Sequence, residues 1–169
     1  MKKLQVIMVV LVSLVSFSCA THQRASSPVP QERKPAIAVW DLENLSPLDP
    51  AQADLGDLLS AKIMETVRQN EQYTLVERQQ LQLVLRELNL GSSSLADAST
   101  QLRIGKMVGA RLMIFGAYQV IANQMRLDLR IVEVETGRIL KATEKTVSST
   151  DLAGWLTAAE AAAKEIIRP

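Results

Sequence analysis

From Leu112 to Val147 the hydrophobic residues recur with a period of two, and this fixes the middle of the fold. Met125, Leu127, Leu129 and Ile131 alternate with Arg126, Asp128 and Arg130, so one face of that strand is apolar and the other charged. Leu112 to Val120 precede it as an apolar strand. Glu135-Thr136-Gly137-Arg138 has the composition of a turn and leads into a last strand, Ile139 to Val147. Three consecutive strands joined by short connections predict an antiparallel meander.

On either side the period is helical. Ala36-Ile37-Ala38-Val39-Trp40 is a short apolar run consistent with a buried strand, followed by the polar stretch Asp41 to Asp49. Asp49-Pro50 then supplies a cap and a first-turn proline for a helix that places Leu55, Leu58, Leu59, Ile63 and Val67 on one stripe. Tyr73 to Val76 reads as a brief strand. Gln79 to Leu88 reads as a second helix, with Leu81, Val84, Leu85 and Leu88 on one side and Gly91 and its serines ending it. Asp97 can cap a third helix carrying Leu102 and Met107, and Gly109 suits its C-terminal turn. Asp151 opens a terminal helix with Leu152, Trp155, Leu156, Ala159, Ala163 and Ile166 as its apolar stripe. The predicted order β-α-β-α-α-β-β-β-α is that of an α/β domain with a mixed sheet, in two or three layers.

The N-terminus assigns the compartment. Lys2 and Lys3 precede an apolar run from Leu4 to Phe17 that ends in small residues, the pattern of an export signal. The run stops short of the roughly 20 residues a membrane span needs. Two cleavages are compatible with it. Cys19, the only cysteine, can become an acylated mature N-terminus behind Ser18, although Ser16 and Phe17 depart from the usual lipoprotein pattern. Ser18 and Ala20 also satisfy the small-x-small rule, which would release a soluble periplasmic protein after Ala20. The reading favours lipidation of Cys19, with Ala20 behind it pointing to the outer membrane. It divides the chain into a signal peptide at 1–18, a lipid-anchored tether at 19–35 and a folded domain at 36–169. The tether holds Ser26, Ser27, Pro28, Pro30 and Pro35 and little to bury. Extended, it would lift the domain roughly 40 to 50 Å from a membrane.

Charge and residue inventory bound the chemistry. Removing residues 1–18 takes away Lys2 and Lys3 and no acidic residue, leaving 17 basic against 18 acidic side chains. An interspersed balance of this kind lacks the positive face that nucleic acid requires. His22, in the tether, is the only histidine, so Ser-His-Asp and Cys-His catalysis and a zinc site of the usual ligands have no basis. Gly91-Ser92-Ser93-Ser94 and Gly105-Lys106-Met107-Val108-Gly109 match no phosphate-binding loop and read as turn chemistry. Asp41 and Glu43 could be imagined as an acid and base pair, but a short acidic loop before a helix is more often solvated. No catalytic, cofactor or metal site is assigned, and no small-molecule substrate. The row Arg126, Asp128 and Arg130 is read as a solvent-facing sheet surface and is the candidate interface.

Three segments resemble the CsgG-like family, the curli-secretion lipoproteins, and their relatives, the flagellar lipoprotein FlgO and the activator lipoprotein LpoB. They are Val76-Glu77-Arg78-Gln79-Gln80-Leu81 with Leu85 and Glu87, Gly109 to Gly116, and Leu127 to Leu140. The resemblance covers most of residues 36–148 and rests on scaffold positions, with Gly116 and Gly137 allowing backbone that other residues resist. It implies a periplasmic α/β domain at the outer membrane, often in rings, that binds other envelope proteins or copies of itself. In pore-forming members two connections carry transmembrane hairpins. Here these are Ile121 to Gln124 and Ser148 to Thr150, too short for membrane strands of about 9 to 11 residues. The lipid is then the membrane attachment. The expected function is a non-catalytic scaffold or accessory subunit of a curli-type or flagellar assembly, with activation of a peptidoglycan synthase, as in LpoB, as the alternative.

Overall fold

The computed structural model describes residues 33–46, 54–91, 96–148 and 151–168. Cys19, most of the tether and the Asp49-Pro50 helix start lie outside these residues. Strands β1 (Ala36–Val39), β2 (Glu43–Asn44), β3 (Thr74–Leu75), β4 (Leu112–Ile121), β5 (Gln124–Glu133) and β6 (Ile139–Ser148) form one sheet. The helices are α1 (Leu55–Arg68), α2 (Arg78–Glu87), α3 (Ala98–Met107) and α4 (Leu152–Ile166). In the sheet order β3-β1-β4-β5-β6, β1 runs parallel to β3 and β4, whereas β4, β5 and β6 are the antiparallel meander. The sheet is therefore mixed, as the sequence predicts.

Strand β2 is an addition to the predicted order, inside the stretch read as a polar loop. β1 pairs with β4 as far as Val39 opposite Ile114, and β2 resumes at Glu43 opposite Ala117. Trp40, Asp41 and Leu42 thus face only Phe115 and Gly116, which is a β-bulge of one extra residue. Glu43 and Asn44 are both exposed and carry no apolar alternation, so the pairing rests on backbone hydrogen bonds and on the polar contact of Asn44 with Tyr118.

The two sheet faces are covered unequally. On the first face Ile37, Val39, Ile114, Leu127 and Leu129 pack against Leu59, Ile63 and Val67 of α1 and Ala159, Ala163 and Ile166 of α4. Small alanines, Ala159, Ala162 and Ala163, form the centre of the α4 contact. On the second face Ala38, Trp40, Met113, Phe115 and Val132 pack against Leu81 and Leu85 of α2 and Ile104 of α3. That cover ends at Phe115. The domain has three layers around β1 and the start of β4, and two layers toward β6.

Several stripe assignments change with the packing. Leu58 is 43% exposed at the edge of the α1 stripe, and Leu152 lies outside the α4 contact. In α3 the buried residues are Ile104 and Gly105, while Met107 is half exposed. Helix α1 begins at Leu55 behind Asp54, whose side chain makes no cap hydrogen bond. Asp97 and Asp151 do cap α3 and α4, accepting from the backbone N–H of Thr100 and Gly154 at 2.7 and 2.6 Å. Gly109 and Gly137 have φ of 72° and 70°, the left-handed backbone that suits glycine. Gly116 has no such angle, and its reason is space: an added Cβ would lie 2.6 Å from the Asp128 carbonyl oxygen and 2.8 Å from Leu42.

Candidate protein-interaction surface

The meander register brings the predicted row together on the uncovered half of the second face. Arg130, Asp128 and Arg126 lie opposite Phe115, Ala117 and Gln119 of β4 and opposite Ala142, Glu144 and Thr146 of β6. Because residues directly opposite share a face, alternation in β5 alone sets which side chains its neighbours must present there. Ala122 and Asn123, both with positive φ, close a two-residue hairpin turn between β4 and β5 and lock this register. That connection has no room for a pair of membrane strands.

The charges on the row are arranged unevenly. The Arg126 guanidinium donates to both Asp128 carboxylate oxygens, at 2.8 and 2.9 Å, and pairs with Glu144 at 3.0 Å. The hydrogen bond to Asp128, and then the charges of Asp128 and Glu144, raise the Arg126 pKa above its ordinary value. Arg130 is held differently: its guanidinium carbon sits over the Phe115 ring, 5.8 Å from the centroid. Among the described residues no carboxylate oxygen lies within 4 Å of it. Glu144 and Phe115 are participants that the sequence reading missed. Their signal was present, since each stands opposite a member of the charged row once the two hairpins are aligned.

Beside the row runs a groove of about 650 Å³, bordered by Leu45, Ala117, Arg130, Ile139 and Glu144. Leu45 and Ile139 are 51% and 55% exposed. A second cleft, of about 550 Å³, continues from Arg130 past Phe115 and Trp40 toward Ala96 and Gln101 of the α3 start. The surface thus joins a fixed cation, an acidic cluster and two uncovered aliphatic side chains.

Asp41 and Glu43, the pair considered for acid–base chemistry, both border this second cleft. Asp41 pairs with the Arg78 guanidinium at 2.9 Å, and Arg78 also reaches Asp57 at 2.7 Å. Burial opposes the charge on Arg78, but the bonds and charges of Asp57 and Asp41 outweigh it and its pKa is raised. This cluster ties the β1 bulge to the starts of α1 and α2. Glu43 stands exposed on β2. Tyr118 is buried, and burial raises its pKa against hydrogen bonds to Gly56 and Asn44 that tether α1 and β2 to β4. Among the described residues no group of three His, Cys, Asp or Glu side chains could hold a metal ion.

Comparison with known proteins places this geometry in a family. The model of the curli production assembly/transport component CsgG matches residues 16–122. The chain belongs to the CsgG family. Strands β1 to β4 of this CsgG-family chain fall inside the match, while Arg126, Asp128 and Arg130 lie beyond its end. The penicillin-binding protein activator LpoB of Escherichia coli K12 is 31% identical over 98 residues, covering 55% of this chain and 46% of LpoB. The chain spans about half the length of the curated relatives it matches. Among solved structures, the LpoB C-terminal domain from Salmonella enterica has a TM-score of 0.55 at 22% identity, covering 69% of this chain and 84% of that one. Lipoprotein GNA1162 from Neisseria meningitidis has a TM-score of 0.54 at 14% identity, covering 73% and 91%. These likenesses show the CsgG/LpoB-like fold. No helix among the described residues is long and apolar enough to cross a membrane.

Proposed function

We propose that this CsgG-family protein is a non-catalytic lipoprotein of the periplasmic face of the outer membrane, anchored through Cys19, whose domain at 36–169 acts by binding a partner protein. The observation that carries this reading is the half of the second sheet face that no described helix covers. It presents Arg126, Asp128 and Arg130 beside the exposed Leu45 and Ile139. A polar rim around a few apolar anchors is the usual composition of an interface that forms and dissociates. The family description, a curli production assembly/transport component, supports an accessory role in an assembly, and self-association of the chain is part of the same proposal.

A peptidoglycan synthase is the first partner to test, because the activator LpoB is the relative with 31% identity. A tether of roughly 17 residues is short for reaching an enzyme at the inner membrane, so the synthase would have to approach the outer membrane. Adding the purified protein to synthase assays should raise the rate, and no change in rate would remove this partner. Native mass spectrometry that shows only monomers would count against self-assembly. Palmitate labelling should mark the wild type and not Cys19→Ala, and equal labelling of both would overturn the anchor.

A further inference from the structure

Within the charged row the two arginines differ in what they still have to offer. Arg126 is occupied by Asp128 and Glu144, so a partner would have to break those bonds to use it. Arg130 is braced against Phe115 with its hydrogen-bonding edge unclaimed by any described carboxylate, although Glu43 shares its groove. A planar fork fixed over an aromatic ring loses little further freedom when a carboxylate binds it.

The floor beside Arg130 is low. Ala117 and Ala142 are the small residues of the row, while Leu45 and Ile139 rise at the rim of the same groove. Ala117 is diagonal to Arg130 across β4 and β5, because Arg130 lies opposite Phe115 and Ala117 opposite Asp128. Diagonal neighbours of this kind are about 7 to 8 Å apart. Residues i and i+2 of an extended chain are separated by about 6.8 Å and point the same way. One spacing therefore fits the other.

We propose that Arg130 is the receptor for a side-chain carboxylate on an extended segment of the partner protein, and that an aliphatic or aromatic side chain two residues away enters the trough over Ala117 between Leu45 and Ile139. This rests on the protein-binding reading above and gives it a recognition chemistry: an Asp or Glu separated by one residue from an apolar one. Arg126, with Asp128 and Glu144, borders the site without accepting the carboxylate.

A display library of random twelve-residue peptides, panned on the purified full chain, tests this directly. The selected pool should be enriched in Asp or Glu two positions from Leu, Ile, Phe or Trp. A representative peptide should lose about tenfold or more in affinity when its carboxylate is changed to the amide, or when the protein carries Arg130→Gln. Arg130→Glu should invert the selection toward Lys and Arg, while Lys164→Gln, on the helix that covers the opposite sheet face, should leave it unchanged. No enrichment, a pool without the acidic-apolar spacing, or a selection indifferent to Arg130 would each overturn the inference. Coincident thermal melts of the variants would exclude misfolding as the cause, and Arg130→Lys should retain the acidic preference if the charge is what selects. Photo-crosslinking in cells from Ile139 separates the two levels. Partner capture from Ile139 that survives Arg130→Gln would overturn only the inference, whereas absence of capture from Ile139 in the otherwise wild-type protein would remove the binding face as well.

Discussion

The Leu42 side chain occupies the space that a Cβ on Gly116 would need, with its Cδ2 2.8 Å from that position. The β-bulge at residues 40–42 turns Leu42 inward onto the first sheet face, and the missing side chain at Gly116 lets it seat there. Leu129 and the Asp128 carbonyl oxygen close the same space from β5, at 2.5 and 2.6 Å. Because one of these neighbours is backbone, Gly116→Ala cannot be relieved by a rotamer change alone. It should destabilise the fold by about 1 to 3 kcal/mol, and Gly116→Val by more, in urea denaturation. A midpoint equal to wild type for Gly116→Ala would mean that the bulge can shift freely.

Helix α1 offers an internal comparison between a core and a rim position. Ile63 is fully buried under the sheet, whereas Leu58 is 43% exposed one turn earlier. Ile63→Ala should cost about 2 to 5 kcal/mol by removing buried methylenes and leaving a cavity. Leu58→Ala should stay within about 1 kcal/mol. Equal losses would place the apolar stripe of α1 where its sequence period puts it, and not where the packing does.

The cap of α4 is a local interaction with a separable effect. Asp151 accepts the Gly154 N–H at 2.6 Å, which satisfies one of the free donors at the helix start. Asp151→Ala should lower stability by about 1 kcal/mol, and Asp151→Ser should recover most of it. Chemical denaturation of the three proteins side by side measures both values.

Acid should loosen the attachment of α4 before it touches the apolar core. Hydrogen bonds from Lys145, then Thr143, hold the Glu165 pKa below its ordinary value, and those from Lys164 and Lys62 do the same for Glu160. A carboxylate whose folded pKa is depressed contributes stability above its unfolded value, and that contribution is lost as pH falls through the folded one. The melting temperature should therefore drop as pH falls from the ordinary glutamate range downward. Glu165→Gln should flatten that part of the profile while lowering the plateau at neutral pH. Profiles with the same slope in both proteins would show that Glu165 is solvated equally in the folded and unfolded chains.

Periodicity was enough for α1, α2, α4 and the meander, because a burial stripe has to repeat at 3.6 or 2 residues wherever one face is covered, whereas α3 was legible from its Asp97 cap and Gly109 turn. It was enough, too, to put Arg126, Asp128 and Arg130 on one side of one strand. β2 escaped it because Glu43 and Asn44 bury nothing and are held through backbone and polar contacts, which leave no hydrophobic trace. Burial at Ile104 and Gly105, in place of Met107, depends on where α3 crosses the sheet, a distance that no local period records.

The sequence by itself determined the alternation that makes a two-faced sheet and the absence of histidine and cysteine side chains beyond residue 22. Only the tertiary structure decided that the cover from α2 and α3 stops at Phe115, so that no described helix covers the rest of that face. It also decided that Arg126 is neutralised while no described carboxylate pairs with Arg130. Both follow from cross-strand register and helix placement, which bring Glu144 to Arg126 and Phe115 to Arg130 from positions distant in the chain. Local sequence fixes which side chains share a face, whereas long-range pairing fixes which charges meet.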